Sequence, residues 1–331
     1  MNTLTMKWLL RREVWEHKGS MFWAPAIVAA LLVLLVGGTM LYGMAVHGAP
    51  GIVHINGQTM SHGAFAAAMP GEEKRAMVAQ VASGMYIMAG SPVFIIMIGT
   101  LFFYCVGALY NERQDRSILF WKSLPVSDAM TVLSKAITAL CVGPVIAIAL
   151  ATVCSLALLL LACIAMALGG VHMASLILAE PDLYLQPLRL VGLLPVYMVW
   201  ALPTIGWLLL VSSWAKTKPL LWAVGVPLIA LVLVKWFSYT LENFSGAPLN
   251  IMPLAQEIVA RLLGGIVPGI WFTFTNGIPP AMHQNAHGPD MGVLFEASWM
   301  TLATAGAWIG AVCGAAMIFG AIRLRRWRDE G

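Results

Sequence analysis

Residues 136–168 read AITALCVGPVIAIALATVCSLALLLLACIAMAL, and these 33 positions contain no charged residue and no histidine. A helix needs about 20 consecutive apolar residues to cross the roughly 30 Å hydrocarbon core of a bilayer. The stretch is therefore long enough to span a membrane. Because the pattern recurs along the chain, we expect an integral membrane protein.

The composition of the whole chain agrees with this class. Of 331 residues, 60% are hydrophobic and 10% are charged, and the mean hydropathy is +0.83. Soluble domains carry about a quarter charged residues, and disordered or collagen-like chains are far less hydrophobic. No dense basic face is visible, so a nucleic-acid partner is not expected. The five cysteines lie in apolar runs without CxxC spacing and are interpreted as small buried hydrophobes.

Six stretches are long and apolar enough to span the bilayer. We therefore predict an all-α integral membrane protein, with residues 1–331 forming a single transmembrane domain. The fifth stretch is short and is expected to continue past Lys235, whose ammonium group can snorkel to the surface. The predicted spans are 22–46, 86–110, 136–168, 190–214, 220–236 and 299–322.

The distribution of positive charge predicts the orientation. Of the 19 Lys and Arg residues, 14 lie on the side that holds both termini and the 111–135 loop. Lys and Arg are enriched in cytoplasmic loops, so both termini should be cytoplasmic. Segments 47–85 and 237–298 should then be external, and residues 1–20 should form a cytoplasmic interfacial helix.

The apolar part of the second external segment is expected to be a broken helix rather than a seventh span. A span here would bury Glu257 or Arg261 near lipid and would place the Arg-rich C-terminus outside. Gly264-Gly265 and Pro268-Gly269 interrupt the helix pattern. An external helix or a re-entrant hairpin fits these features.

With the fifth apolar stretch ended at Val234, the six predicted spans contain no Asp, Glu, Lys, Arg or His. Ion- and proton-coupled transporters normally keep such groups at membrane depth. The dipeptide Gly-Lys occurs nowhere, so no Walker A motif is present. If this chain moves a substrate uphill, the energy is expected from another subunit, and an apolar or amphiphilic cargo suits the interior best.

Two segments on the side predicted to be cytoplasmic have the pattern of amphipathic helices. Leu4, Trp8 and Trp15 share one face of an N-terminal helix, with Trp side chains suited to the headgroup level. Residues 118–124 form an apolar patch after a charged head, and Ser127 and Asp128 are suitable N-cap residues for the next helix. The patch is interpreted either as a membrane-surface helix or as a surface that docks into a soluble partner.

Two segments share one interpretation: the N-terminal segment KWLLRREVWEHKGSMFW (7–23) and the loop ERQDRSILFWKSLPVSD (112–128). Together with six spans, internal termini and a broken segment before the last span, they resemble the permease subunit of an ABC-2 type (type V) ABC transporter. The 112–128 stretch carries the sharpest part of the resemblance.

The resemblance implies a membrane subunit of a bacterial inner-membrane exporter, powered by ATP. The 111–135 loop would be the coupling helix that inserts into a cleft of the ATPase subunit. The N-terminal helix would contact the same ATPase through Arg12, Glu13 and Glu16, although solvation or local pairing of the two glutamates is the default interpretation. The coupling contacts would be Asp115, Arg116, Ser117, Phe120, Trp121, Lys122, Leu124 and Pro125.

The same resemblance implies the partners. Two permeases, as a homodimer or heterodimer, would work with two ATPases in the lipid bilayer. ATP and Mg would bind to the ATPase subunits, and no cofactor, metal or catalytic residue is expected on this chain. Closure of the ATPases on ATP would move the coupling helices as rigid bodies.

Other functions remain open from the residues alone. A membrane enzyme acting on lipid would need a polar cluster at the surface, and the available candidates are His283, His287 and Asp290. The two histidines and the nearby methionines are side chains that could bind a soft metal ion such as copper. The favoured interpretation is that they lie in an irregular loop without a metal. A non-transporting scaffold or sensor is the other alternative, and it would not bind an ATPase.

Overall fold

The structure is a computed structural model that describes residues 3–47, 52–55, 58–61, 71–115, 126–168, 177–179, 181–245, 251–275 and 291–327. It confirms an all-α integral membrane protein with six membrane-spanning helices. Spans 1 to 6 are, in order, Gly19–Gly43, Ala89–Gln114, Asp128–Ala165, Leu194–Trp214, Pro219–Phe244 and Ala305–Trp327.

The first half of the chain builds spans 1 to 3. The N-terminal helix continues into span 1 through a wide π-helical turn at Gly19–Trp23. A small antiparallel hairpin follows, which the sequence analysis did not predict, and it pairs Ile52 with Ser61. The elements are α1 (Thr3–Glu16), α2 (Ala24–His47), β1 (Ile52–Ile55), β2 (Gln58–Ser61), α3 (Gly71–Gly107), α4 (Tyr110–Gln114), α5 (Asp128–Ile137), a π-turn (Thr138–Val142) and α6 (Gly143–Leu168).

The second half builds spans 4 to 6. The fifth span continues past Lys235 to the end of its helix at Ser245. The elements are α7 (Pro181–Gly192), α8 (Leu194–Trp214), α9 (Pro219–Ser245), α10 (Met252–Gly264), α11 (Trp271–Phe274), α12 (Met291–Met300), a 3₁₀ turn (Thr301–Ala303) and α13 (Ala305–Trp327).

Span 4 lies at the centre of the bundle. It packs most closely on span 6, while span 3 packs on spans 1 and 2, and spans 2 and 4 join these two groups. Ile205, Leu208 and Leu209 of span 4 have no exposed surface. Spans 1 and 5 lie at the periphery and expose large apolar side chains, as lipid-facing helices do.

Glycines allow spans 4 and 6 to approach closely. A Cβ at Gly206 would collide with the Gly314 carbonyl, and a Cβ at Gly314 would collide with the backbone of Leu202. Gly310 packs on Pro203 in the same seam. The glycine series of span 6 therefore serves packing within the chain, as small residues do where membrane helices meet.

The segment before the last span is broken, as predicted. Helix α10 ends at Gly264, turns follow, and the short helix α11 starts at Trp271. Gly269 has φ +84°, a conformation that glycine adopts without steric cost. Among the described residues, this segment does not form a seventh span.

The broken segment reaches deep into the bundle beside span 4. The Gly265 N–H donates to Thr204 Oγ1 at 2.9 Å. Thr204 lies ten residues from the start of span 4, which corresponds to about 15 Å along a helix. The N–H and C=O groups of irregular backbone at membrane depth need hydrogen-bond partners from the protein. Thr204 provides one here. The arrangement is that of a re-entrant segment.

Candidate functional site: a buried ion-pair cluster at the terminal end

The described ends of the chain lie together, since α1 and α13 both pack against α5. We call this end of the bundle the terminal end. Four charged residues of this end are almost completely enclosed: Glu13, Glu112, Lys135 and Arg325, with 0%, 6%, 2% and 5% of their surfaces exposed. Charged side chains are rarely buried unless they are paired. We call these four residues, with Asp128, the terminal cluster.

Lys135 is the centre of the terminal cluster. Its Nζ lies 2.9 Å from Glu13 Oε1 and 3.0 Å from Glu112 Oε1. The second oxygen of Glu13 accepts a 2.8 Å hydrogen bond from the Tyr104 hydroxyl. One lysine of span 3 therefore holds together the N-terminal helix and the end of span 2.

Arg325 extends the cluster to the last span. Its NH1 group lies 2.6 Å from Glu112 Oε2, and its Nε donates to Asp128 Oδ1 at 3.2 Å. Asp128 is the first residue of α5, one position after the N-cap Ser127, whose side chain accepts from the Met130 N–H as predicted. A carboxylate in the first turn also interacts favourably with the helix dipole.

The end of span 2 is further fixed to span 4. Helix α3 stops at Gly107 and the chain restarts at Tyr110, and Ser212 Oγ accepts from the backbone N–H groups of Leu109 and Tyr110 at 3.0 Å. Arg113 NH2 donates to the carbonyl oxygens of Ser212 and Ala215 at 2.6 and 2.9 Å. These contacts provide hydrogen-bond partners for the backbone N–H groups at the interruption of span 2 and for carbonyl groups at the end of span 4.

The predicted contact residues of the N-terminal helix occupy different environments. Arg12 and Glu16 form a partly exposed pair at 3.0 Å, which confirms the local pairing expected for Glu16. Glu13 differs from the expectation of a partner contact, because its carboxylate faces Lys135 and Tyr104 and has no exposed surface. In this structure α1 can meet a partner only through its other residues.

The opposite face of α1 remains open. Leu4, Trp8 and Trp15 are 66%, 63% and 61% exposed, while Met6 and Leu9 are buried. The guanidinium of Arg11 lies over the Trp8 ring and the ammonium of Lys18 over Trp15. The exposed row therefore combines aromatic rings with positive charge, a combination typical of a helix at a membrane surface.

The predicted coupling residues are only partly covered by the structure. Asp115 follows α4 and donates its backbone N–H to the carbonyl of Asn111 at 2.9 Å. Arg116, Ser117, Phe120, Trp121, Lys122, Leu124 and Pro125 lie outside the described residues. The terminal cluster nevertheless frames them, since Glu112 precedes this segment and Asp128 follows it.

Sequence reasoning missed the cluster itself. Glu112, Lys135 and Arg325 were assigned to loops or to a charged terminus, although each lies in a helical element that extends its span beyond the apolar stretch. The available signal was that opposite charges stand at the ends of apolar runs predicted on the same side of the bilayer. Hydropathy alone does not indicate which of them pair.

A second polar group lies where the broken segment meets spans 4 and 6. Arg261 stacks on Trp200 and Phe274 with its Cζ 4.7 and 5.0 Å from the ring centres. Its NH1 donates to the Gly306 carbonyl at 2.6 Å, and NH2 pairs with Glu257 at 2.8 Å. The pair with Glu257 lies within α10, whereas the contacts with Trp200 and Gly306 join α10 to spans 4 and 6. This group therefore fastens the broken segment in place.

Other site predictions receive no support from the described residues. Within them, no group of three metal-binding side chains is found, and all five cysteines are free. His283, His287 and Asp290 lie outside the described residues. The metal-loop and lipid-enzyme alternatives are therefore not tested by the structure.

Comparisons of the chain with protein-family models, with curated proteins and with solved structures find no match. Function is therefore inferred from the residues and their geometry.

Proposed function

We propose that this chain is the membrane-spanning permease subunit of an ATP-driven exporter of the ABC-2 type, working with a separate ATPase subunit. The terminal end would be cytoplasmic, in a bacterial inner membrane. Two permease copies and two ATPases would form the working unit. The cargo would be apolar or amphiphilic, such as a lipid, a hydrophobic peptide or a drug-like molecule.

The observation that carries the proposal is the terminal cluster. Glu112 and Asp128 stand at the two ends of the predicted coupling segment, and Arg325 and Lys135 connect them to the last span and the N-terminal helix. A force applied to residues 116–125 would therefore reach spans 2, 3 and 6 through short, buried contacts. A coupling device needs such a stiff junction, because a flexible loop would absorb the displacement.

The charge balance of the cluster also supports a mechanical role. Its three carboxylates face Lys135 and Arg325, and Arg12 lies at its edge, 3.9 Å from Glu112. Removing one partner of a buried pair leaves an uncompensated charge and costs about 3–5 kcal/mol. The helices that carry these residues are therefore constrained to move together, unless all of the ion pairs exchange partners at once.

Co-purification with an ATPase tests the proposal. The tagged chain is expressed with the ABC ATPase encoded beside its gene, in wild-type form and as the double variant Arg116→Ala, Trp121→Ala. We expect a stable wild-type complex whose ATPase activity depends on the permease. The double variant should fold normally and lose either binding or coupling.

Trp327→Ala is the matched control, because Trp327 is a 79% exposed aromatic residue at the same end of the bundle but outside the coupling segment. It should keep the activity of the wild-type complex. If the wild-type chain binds no ATPase in detergent or in nanodiscs, the exporter proposal is wrong, and the lipid-enzyme and scaffold alternatives take its place.

A further inference from the structure

Two apolar cavities lie side by side within the bundle, between spans 2, 3 and 4 and the broken segment. Their volumes are about 260 and 190 Å³. Both are lined by Phe94, Ile98, Leu190 and Pro268, so they adjoin one another. We treat them as one feature and call it the slot.

The slot is elongated along the spans. Its lining on helix α3 runs from Tyr86 in the first cavity to Leu101 in the second, and its lining on span 3 runs from Ser155 back to Pro144. Fifteen helical residues separate Tyr86 from Leu101, which is about 22 Å. The slot is therefore longer than the roughly 15 Å hydrocarbon depth of one leaflet.

The lining of the slot is apolar almost throughout its length. Tyr86, Ser91 and Ser155 line the cavity remote from the terminal end. The deeper cavity is lined by apolar side chains such as Leu101 and Ala147, with Tyr197 as the exception. A ligand that matches this lining is a hydrocarbon chain, and a polar head attached to it would lie at the exposed end, near Ser91.

The slot opens toward the bilayer. Ser91 and Ile95 line the first cavity and are both exposed on the surface of the bundle, whereas Leu101 and Ala147 at the deeper end are 2% and 1% exposed. The break also lines the slot: Val267 and Pro268 line the first cavity, and Pro268 lines the deeper one as well. A chain could enter sideways from lipid and extend inward.

Apolar cavities of about 150 Å³ stay dry and bind benzene. By the same proportion, the two cavities together have room for on the order of 18 carbon atoms. Water would form few hydrogen bonds in a cavity with such an apolar lining. The surrounding bilayer, in contrast, supplies hydrocarbon chains at high concentration. We propose that the slot binds one hydrocarbon chain of a membrane amphiphile, with its polar head at the exposed end, near Ser91. This inference holds whether or not an ATPase drives the protein.

Photolabelling in nanodiscs tests it on the purified full chain. The probes are a diazirine-bearing palmitic acid and, separately, a phospholipid with a diazirine on one acyl chain, and labelled peptides are mapped by mass spectrometry. We expect labelling within 86–101 and 144–155 that saturates and is competed by unlabelled palmitate. Labelling by the fatty acid alone would identify a single-chain amphiphile, and labelling by both would identify a bilayer lipid.

Variants sharpen the result. Ala147→Phe places a ring in the deeper cavity and should weaken saturable labelling about tenfold, as expected when about two buried methylene groups are displaced. Val153→Phe is the matched control, because Val153 lies on the same helix but is 65% exposed. Ile98→Trp is a second filling variant if the first does not fold.

The proposal is overturned by non-saturable labelling spread over the exposed faces of spans 1 and 5. It is equally overturned if Ala147→Phe and Ile98→Trp fold and label as the wild type does. If neither variant folds, the position and saturation of the wild-type labelling decide.

Discussion

Lys135 is one of two cations in the terminal cluster that each pair with two carboxylates. Two carboxylates share its ammonium group, and its side chain is 2% exposed. Such a group is stable only while its partners are present, because desolvation of each charge is offset by the others. The residue therefore contributes to stability through its neighbours rather than through its own burial.

Lys135→Met should destabilise the protein by about 3–5 kcal/mol, because Glu13 and Glu112 lose their shared partner. Thermal unfolding in detergent, followed by loss of the monodisperse species, measures the effect. Glu16→Gln is the control, since the Arg12–Glu16 pair is partly exposed and should contribute less than about 1 kcal/mol. Equal melting temperatures for the two variants would contradict the assigned role.

The contacts of some residues could be predicted from the sequence, and those of others could not. The N-cap Ser127 follows from local chemistry, since its partner is three residues away. Glu13 could not be placed, because its partners Tyr104 and Lys135 are 91 and 122 residues distant. Contacts that join different helices depend on the rotation of each helix, which a uniformly apolar pattern does not define.

Among the elements, the broken segment depends on one hydroxyl group. Thr204 Oγ1 accepts from the Gly265 N–H and donates to the Arg261 carbonyl. Both backbone groups lie beside span 4, where the alternative partners are hydrocarbon. The break was predicted from Gly and Pro positions, whereas the threonine that satisfies it was not, because an isolated Thr in an apolar helix carries no local signal.

Thr204→Val keeps the shape of the side chain and removes its hydrogen bonds. The loss should cost about 1–3 kcal/mol, since a buried N–H is left without a partner. Hydrogen exchange of the Gly265 amide should become at least tenfold faster, as expected for a loss of about 1.4 kcal/mol in local stability. Thr204→Ser retains the hydroxyl and should exchange like the wild type; a similar acceleration in both variants would refute the assignment.

The molecule as a whole consists of a central span 4, two groups of helices and two peripheral spans. Hydropathy and charge counting predicted the number of spans because these properties are set by the bilayer. Their packing order could not be predicted, since it depends on glycine seams and on buried charges. The close approach of Gly206 and Gly314 shows this: many glycines occur in apolar runs, but only some lie at helix crossings.

The orientation of the whole molecule can be measured by cysteine accessibility. In a background without the five native cysteines, Leu4→Cys and Phe244→Cys place thiols at opposite ends of the bundle, at positions 66% and 93% exposed. Because Lys and Arg favour the cytoplasmic side, an impermeant maleimide should label Phe244→Cys in intact cells and Leu4→Cys only after permeabilisation. The reverse pattern would place the terminal cluster outside and remove the basis of the exporter proposal.

The terminal cluster also has a consequence for synthesis of the protein. Glu13 and Glu112 leave the ribosome early and must share Lys135 until Arg325, more than 200 residues after Glu112, is made. Until then the three carboxylates of the terminal cluster, those of Glu13, Glu112 and Asp128, face only one of its two cations. Insertion of the last helix supplies the second cation, so a chain that stalls before this point differs electrostatically from a finished one, and a quality-control protease could discriminate between them on that basis.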